Sequence, residues 1–599
     1  MAQTDSVVEL QGLLKPEDEA EWVSNLWVKW DSQRGTILNH WREIDEYVFS
    51  VDTSTTANRK LPWTHSSRDP KLTNIRDNLH SNYLSSLFPN DKWLTWQAFS
   101  RDSAKKDVAK TMTSYMTNKT REGGFRDTVS HLLYDYIDRG VCFAMPTFEA
   151  RYREVNKERV TAFVGPKAVR ISPNDIVFDP TASDFEHTPK VVRTMTTIGR
   201  LRKMAQTHPD QKFWEDVLAR REHLRAAAMS YSADEWEKAS QYLVDGFGNL
   251  QEYYISDSVE LLEFYGDYHN VNTGELEVGR MVTIADRSMV ARNISIPTYS
   301  GSPAIRMAGW RKRPNNLWAQ GPLDLLIGMQ YQLDHYMNMA ANALDLKVMP
   351  PKKIIGNVEE FNWEPNAEIH IDDNGDVQEM AQQFGDIATC LEFINQIEQR
   401  MEMYAGAPRE AMGIRTPGEK TAFEVQALEN AAGRIFQEKI TQFEVFMEDL
   451  LNDMLEEAHR NFDYLDTVRI IDDDLGVQEF RQVTKEDITA DGILRPVGAR
   501  HFAQKAQELQ NLVGVFNSPI GQMIQPHTSA IGLTQFINDV VDLRGYDIFR
   551  PNVAIAEQNE SMDMAEQLQE DALARDQIVP EEIEASAPNP APAGFSEEV

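Results

Sequence analysis

The chain has 599 residues, 41% hydrophobic and 26% charged, a length and composition that indicate a folded protein with more than one hydrophobic core. Its formal net charge is −34 at pH 7, which disfavours a protein that holds nucleic acid by neutralising phosphates, because such proteins carry basic surfaces. The same charge is compatible with a conduit through which DNA slides, since sliding requires weak binding.

The chain has two cysteines, Cys142 and Cys390, far apart in the sequence. We therefore expect no disulfide framework and no zinc site, and a reducing compartment. The first residues show no basic stretch followed by an apolar one, so no signal peptide is expected. No apolar run approaches the roughly 20 residues needed to cross a bilayer. These features predict a protein that is made and assembled in the cytoplasm.

The first part of the chain, to about residue 138, has the pattern of helices. Apolar residues recur there at three-to-four-residue spacing, which predicts a helix face that packs in a core; they are Trp22, Val23, Leu26, Trp27 and Trp30. From about residue 141 to 193, short β-branched and aromatic runs are broken by Pro, Asn and Asp, which predicts strands. A pattern typical of helices follows over about 198–240, and after it comes a second stretch with the pattern of strands.

The region from residue 321 onward contains three predicted helices. The first covers about 321–346, with Pro322 suited to a first helical turn, and it is stopped by Pro350 and Pro351. A compact insert of strands and turns is predicted for 347–385, and a second helix for about 386–405. The three segments predict two helices joined by a small insert.

A third and longer helix has a complete start signal, because Thr416 can cap it, Pro417 suits its first position and Glu419 can reach back to close a capping box. Its apolar stripe continues to Ala458, which predicts a rod of about 60 Å. Such a rod is too long to bury its stripe in one small domain. Further helices are predicted within 497–555, and the acidic stretch 556–599 is predicted to be partly disordered.

Several of these segments resemble the portal (head-to-tail connector) proteins of tailed bacteriophages. GPLDLLIGMQYQLDHYMNMAANALDL resembles the family's first stem helix, residues 347–385 its clip, and 386–405 its second stem helix. Residues 406–418 are similar to the tunnel loop, and Thr421, Ala422 and Glu424 to the start of the helix that follows. Upstream, the text around Pro62-Trp63 and Leu87-Phe88-Pro89 resembles connectors of short-tailed phages, and ISPNDIVFDPTA resembles a strand of the portal wing.

The resemblance covers about residues 20–550 and rests on the order of the segments. It implies an α+β, predominantly helical fold with a wing (1–320), a stem, a clip, the long helix with a return to the wing (419–496) and a helical crown (497–555). It also implies a dodecameric ring at one capsid vertex of the virion, around a channel for double-stranded DNA. A separate terminase motor drives packaging through such a ring, which also serves genome retention and ejection and contacts capsid proteins and tail adaptors. No enzymatic activity, cofactor or metal is predicted.

Three groups of residues are candidates for functional contacts. Arg409, Arg415 and Lys420 form a local basic cluster in an acidic chain. Given the portal resemblance, they could line the constriction of the channel and touch DNA phosphates. Loop solvation, or pairing with Glu410 and Glu419, is the alternative.

The second group is a polar stripe at helical spacing on the first stem helix, formed by Asp334, Asn338, Asn342 and Asp345. It could face the channel, a neighbouring stem or solvent. The third group lies in the predicted clip and could dock terminase or a tail adaptor, or contact a neighbouring subunit; it consists of Lys352, Lys353, Glu359, Glu360 and Trp363.

Two other classes of protein are alternatives to the portal resemblance. An ATP-driven packaging enzyme needs a phosphate-binding loop after a buried strand, and Gly413–Thr421 nearly has that sequence. Glu419, however, stands where phosphate oxygens would bind, and the preceding text is not a strand. The other alternative is a different virion structural protein, such as an internal core or tail-tube component.

Overall fold

The structure is a computed structural model. It describes residues 7–10, 16–49, 65, 67–89, 93–99, 106–155, 158–207, 213–229, 250–270, 275–299, 303–348, 352–355, 376–379, 387–405, 422–461, 466–471, 478–483 and 492–497. Nearly all of these residues belong to one compact unit, made of residues 1–470 and 480–501.

The described residues form long helices and mainly antiparallel sheets, and the helices hold more residues than the strands. The helices are α1 (Pro16–Gln33), α2 (Gly35–Val48), α3 (Lys71–Leu87), α4 (Lys106–Glu122), α5 (Phe125–Asp138), α6 (Ile198–Thr207), α7 (Phe213–Met229), α8 (Leu250–Ile255), α9 (Leu323–Val348), α10 (Ile387–Ala405) and α11 (Ala422–Arg460). The first strands are β1 (Val7–Leu10), β2 (Leu94–Ala98), β3 (Val141–Val155), β4 (Glu158–Ile171), β5 (Ile176–Phe178), β6 (Lys190–Thr197), β7 (Ser258–Asn270), β8 (Glu275–Ala285) and β9 (Met289–Ser295). The remaining strands are β10 (Arg306–Gly309), β11 (Arg311–Arg313), β12 (Asn316–Gln320), β13 (Lys352–Ile355), β14 (Asp376–Glu379), β15 (Asp466–Ile471), β16 (Gln478–Val483) and β17 (Gly492–Pro496).

The predicted α+β class is confirmed, and the three helices expected after residue 321 are present as α9, α10 and α11. Pro322 lies immediately before α9 rather than inside its first turn. The start signal Thr416–Glu419 lies outside the described residues, and α11 is described from Ala422. Within the predicted insert, β13 and β14 pair as an antiparallel hairpin.

The largest sheet has the strand order β5-β6-β7-β8-β9, and β1 adds to β7 in parallel. Helix α1 packs its tryptophan stripe on this sheet: Val23, Leu26, Trp27 and Trp30 are buried against Leu262 and other sheet residues. Burying such side chains stabilises the fold by roughly 1.5–3 kcal/mol each. The prediction that this stripe is core packing is confirmed.

The core with the most buried residues joins the N-terminal helices to the region after residue 321. It contains residues from α2, α3 and α5 together with α9, α10 and α11. Tyr83 of α3, for example, stacks on Phe436 of α11 with ring centroids 4.8 Å apart. Strand β2, which the sequence pattern did not predict within the helical first part, pairs antiparallel with β17. The chain therefore returns to its N-terminal region after α11.

Bidentate ion pairs connect the elements around this core. Arg76 of α3 donates two hydrogen bonds to Asp138 of α5, at 2.7 and 2.8 Å. Arg306 of β10 donates two to Asp453 of α11, at 2.6 and 2.9 Å. Paired in this way, an arginine and a carboxylate have a fixed mutual orientation as well as a favourable energy. These pairs therefore fix how the helices and the sheet edge meet.

The start of α9 is positioned by a backbone-to-backbone contact. Gly140 follows α5 with a φ of 74°, a backbone conformation that L residues rarely adopt. A Cβ placed on it would lie 2.2 Å from the carbonyl carbon of Gln320 and 2.2 Å from the amide nitrogen of Gly321. A Cβ on Gly321 would lie 2.6 Å from the carbonyl oxygen of Ile137. The amide of Gly321 also donates to the Asp324 carboxylate at 2.8 Å. Only glycine at both positions lets the two backbones approach this closely.

We expect Gly140→Ala to destabilise the protein by about 2–4 kcal/mol, because the new methyl group meets backbone atoms and the positive φ disfavours an L side chain. The measurement is the denaturation midpoint of the purified chain. Gly199→Ala is the matched control: a Cβ at this helical glycine meets nothing within 4 Å, so it should be neutral or stabilise by about 0.5–1 kcal/mol. Equal midpoints for the two variants would contradict the close approach.

Candidate functional site: a helical hairpin that leaves the core

Helices α9 and α10 form a hairpin whose basal half is embedded in the core. In α9 the side chains of Leu323, Leu326 and Leu333 are fully buried, and in α10 Ile397 and Met401 are buried against the same cluster. The basal half, residues 323–334 and 394–405, is thus held by apolar packing on the N-terminal helices and α11. It is the anchored end of the hairpin.

The distal half of the hairpin, residues 335–348 and 387–393, has no buried side chain among those that the structure describes. The two helices contact each other there, with Tyr336 and Phe393 in an edge-to-face arrangement at 5.1 Å. Several large apolar side chains remain open to solvent; Leu344 is 52% and Val348 68% exposed. The other exposed large apolar side chains on the distal half are Met339, Leu391 and Phe393. A hairpin end with this much exposed apolar surface is typical of a surface that contacts a partner.

The predicted polar stripe on α9 contacts a segment of its own chain. The Asp334 carboxylate accepts a hydrogen bond from the Asp69 amide at 2.9 Å. Asn338 accepts from the Ser67 amide at 2.9 Å and donates to the Ser67 carbonyl at 2.8 Å. From the sequence, the stripe could face the channel, a neighbouring stem or solvent. In the structure it contacts another segment of the same chain.

The outer end of the stripe continues the same pattern. The His65 amide donates to Asn342 at 2.7 Å, and the His65 ring lies 2.6 Å from the Asp345 carboxylate. Gln330, one turn before Asp334, donates to the Asp69 carbonyl at 2.7 Å and to Asp334 at 2.9 Å. Gln330 extends the stripe inward and was not predicted from the sequence, although it stands four residues before Asp334.

The electrostatics of the stripe differ between its two ends. Burial raises the pKa of Asp334, and the nearby charge of Asp69 raises it further, while the amide of Asp69 and Gln330 lower it by hydrogen bonding. One carboxylate oxygen of Asp334, Oδ2, is buried and has no hydrogen-bond partner among the described residues. At the outer end the side chains of His65 and Asp345 are about half exposed.

The base of the hairpin is also tied to α3 by charge. The Lys71 ammonium lies 2.6 Å from the Glu402 carboxylate and 3.6 Å from that of Glu398, both on α10. Glu402 is buried. The Leu72 amide donates to Gln330 of α9 at 3.3 Å. The first turn of α3 therefore contacts both helices of the hairpin at the level where it leaves the core.

The remaining predicted site residues are only partly within the described chain. Lys353 lies exposed in β13, opposite Gln378, and Lys352 lies opposite Glu379. The neighbouring residues Ile354 and Ile355 are also exposed. The other predicted clip and tunnel-loop residues lie outside the described residues; they are Glu359, Glu360, Trp363, Arg409, Arg415 and Lys420.

A cleft of about 360 Å³ lies between the loop after β5, the strands β10–β12 and helix α11. Arg306 at its wall bridges Asp453 and Glu186. Arg313 of β11 donates two hydrogen bonds to the Trp318 carbonyl, at 2.7 and 2.9 Å. The lining charges are thus largely used to hold the strands, the loop and the helix together.

Lys190 holds the loop that forms one side of this cleft. Its ammonium group, fully buried, donates to the carbonyls of Phe185 and Glu186 at 2.8 and 3.1 Å. Burial lowers the pKa of Lys190 from its ordinary 10.5 to about 7. In the unfolded chain this lysine keeps its proton up to its ordinary pKa, so between pH 7 and 10.5 the unfolded state binds more protons than the folded state.

Lys190 should therefore contribute a rise in stability as the pH increases from about 7 towards 10.5, because folding no longer has to bury a charged ammonium group there. Lys190→Met should flatten this rise, whatever its effect on the absolute stability. The measurement is the denaturation midpoint as a function of pH, compared by slope. Lys29→Met, at an exposed position of α1, should keep the wild-type slope; a wild-type slope in Lys190→Met would contradict the assignment.

Within the described residues, no group of three or more His, Cys, Asp or Glu side chains is arranged to hold a metal ion. No helix in the same part of the chain has an apolar stretch of the length that a membrane crossing requires. Cys142 is buried and Cys390 half-buried, and both are free thiols.

The chain was compared with models of protein families and with curated proteins, and it matches none of them.

Proposed function

We propose that this chain is the portal, or head-to-tail connector, subunit of a tailed bacteriophage: a structural protein that forms a ring around a DNA channel at one capsid vertex. The observation that supports it most is the helical hairpin α9–α10, anchored at its base and exposed in its distal half, followed by the 39-residue helix α11. Together with the order of segments in the sequence, this arrangement fits stem helices, a clip between them and a long helix beyond.

The exposed distal half argues for a partner that repeats around a ring. Large apolar side chains line both helices of the hairpin outside the core, among them Leu344 and Leu391. Covering each of them by a neighbour would contribute roughly 1.5–3 kcal/mol. A contact between different faces of identical copies generates a closed ring when the rotation between copies closes. A second copy of this chain is therefore the partner that we propose for the distal half.

The charge of the chain fits a channel through which DNA moves. A ring multiplies the formal charge of −34 by the number of its copies, and an acidic wall repels phosphates and prevents tight binding. Within this acidic background, Arg409, Arg415 and Lys420 are the cluster that we propose to touch DNA in the tunnel loop. The β13–β14 hairpin with Lys352 and Lys353 is the proposed docking tip for terminase and tail adaptors.

The main alternative is another virion structural protein, such as an internal core or tail-tube component. It shares the need for self-association, and class averages distinguish it, because a portal gives isolated rings with a central hole. An ATP-driven packaging enzyme is the less favoured alternative. It predicts ATP hydrolysis by the purified protein, whereas the portal proposal predicts none.

We expect Leu344→Glu to reduce ring formation, because a carboxylate on the distal half of the hairpin cannot be buried against a neighbouring copy without a large desolvation cost. The measurement is sedimentation velocity together with class averages of the purified oligomer viewed down its axis. The fold of the subunit, followed by circular dichroism, should not change, since Leu344 is 52% exposed in the single chain.

Leu276→Glu is the matched control, because Leu276 is a leucine of the same 52% exposure that lies on β8, away from the hairpin. It should assemble as the wild type does. If Leu344→Glu also forms wild-type rings, the hairpin is not the assembly surface. If the wild-type chain itself is a stable monomer, the portal proposal fails as a whole.

We expect the triple variant Arg409→Gln, Arg415→Gln, Lys420→Gln to lower DNA retention in filled heads, because it removes the positive charges proposed to contact phosphates. A control with the same change in charge is available on α6, where Arg200, Arg202 and Lys203 are exposed. Replacing these three by Gln should leave retention unchanged. Equal retention in both variants would remove the tunnel-loop assignment.

A further inference from the structure

His65 and residues 67–69 run antiparallel to helix α9, and their contacts match its repeat. Going along the segment, Asp69, Ser67 and His65 contact Asp334, Asn338 and Asn342 in turn. Alternate residues of the segment thus meet every fourth residue of the helix, and three successive contacts fix the register. Four residues of a helix advance about 6.0 Å, which lies within the roughly 7 Å that two residues of chain can span.

The helix recognises mainly the backbone of this segment. The Asn338 side chain accepts from the Ser67 amide and donates to the Ser67 carbonyl, which is the pair of bonds that a neighbouring strand would make. Gln330 donates to the Asp69 carbonyl. Because these hydrogen bonds go to backbone groups of the segment, the contact depends on which side chains the helix carries more than on which side chains the segment carries.

The contact weakens from its inner to its outer end. Asp334 and Gln330 are buried, whereas the side chains of His65 and Asp345 are 45% and 55% exposed. Hydrogen bonds and ion pairs that are exposed to water compete with solvent and contribute little. Opening at the His65 end therefore costs less free energy than opening at the Asp69 end.

The inner end is also where the segment enters α3, whose first turn contacts both helices of the hairpin through Lys71–Glu402 and Leu72–Gln330. A displacement of the segment would therefore be transmitted to the base of the hairpin.

The distal half of α9 has no buried side chain among those described. Within the described residues, its polar contact with His65 and residues 67–69 is therefore a main intramolecular support of that half, besides α10.

We propose that His65 and residues 67–69 form a strap that fastens the distal half of α9 to the N-terminal helices and peels from its His65 end while its Asp69 end stays bound. The strap adjusts the stiffness of the hairpin without disturbing the apolar base. It does not depend on the portal assignment, since it concerns contacts within a single chain.

The test is hydrogen exchange with single-residue resolution on the full-length protein and its variants. In the wild type, the amide of His65 should exchange fastest, that of Ser67 more slowly and that of Asp69 slowest. Asn342→Leu should accelerate exchange at His65 alone. Asn338→Leu removes the three hydrogen bonds to Ser67, two with its backbone and one with its hydroxyl. It should accelerate exchange at His65 and Ser67 by about tenfold or more, and should also accelerate exchange in residues 335–348.

Gln332→Leu is the matched control, because Gln332 is exposed on α9 and a side-chain amide is likewise replaced by leucine. It should leave exchange of the strap unchanged. Equal exchange at the three strap amides of the wild type would overturn peeling from one end. Faster strap exchange with unchanged exchange at 335–348 in Asn338→Leu would overturn the fastening role. Either result leaves ring formation, which is measured separately, as an independent question.

Discussion

The hairpin depends on one constraint, the contact between the backbones of Gly140 and Gly321. There is no space for a Cβ on either residue, since each position faces the backbone of the other segment. The contact fixes where α9 begins relative to the end of α5, and the Asp324 carboxylate then fixes its first turn. From that start, the direction of α9 determines which of its residues enter the core and which reach the segment around Ser67.

The two halves of the hairpin are stabilised by different interactions. The basal half buries Leu326, Leu333 and Met401 in a continuous apolar core, which is stiff because close-packed side chains do not deform gradually. The distal half relies on hydrogen bonds of Asn338 and Asn342 that water can replace. A hairpin built in this way is rigid where it joins the subunit and adjustable where it meets a partner. That combination suits a proposed stem, which has to keep its place in a ring while its neighbours and its cargo move.

Hydrophobic periodicity predicted the helices well, because the apolar stripes of α1, α9, α10 and α11 repeat locally and face real cores. It also found the polar stripe from Asp334 to Asp345. The partner of that stripe was not predictable, since His65 and Asp69 stand 280 and 265 positions away from their contacts and carry no repeat of their own. The pairing of β2 with β17 was missed for the same reason. Long-range contacts of this kind depend on the three-dimensional path of the chain, which local pattern does not contain.

The placement of the positive charges is compatible with the acidic channel wall that we propose. The chain has 60 basic and 94 acidic residues, and several arginines are consumed by carboxylates inside the fold. Arg287 donates to both oxygens of the buried Glu260, at 2.7 and 2.8 Å, and Arg76 and Arg306 are used in the same way. Cations paired in the interior neutralise interior carboxylates and leave the acidic excess to the solvent-exposed surface. A wall of that kind repels DNA along its length, so a few basic side chains at one constriction would be enough to hold it.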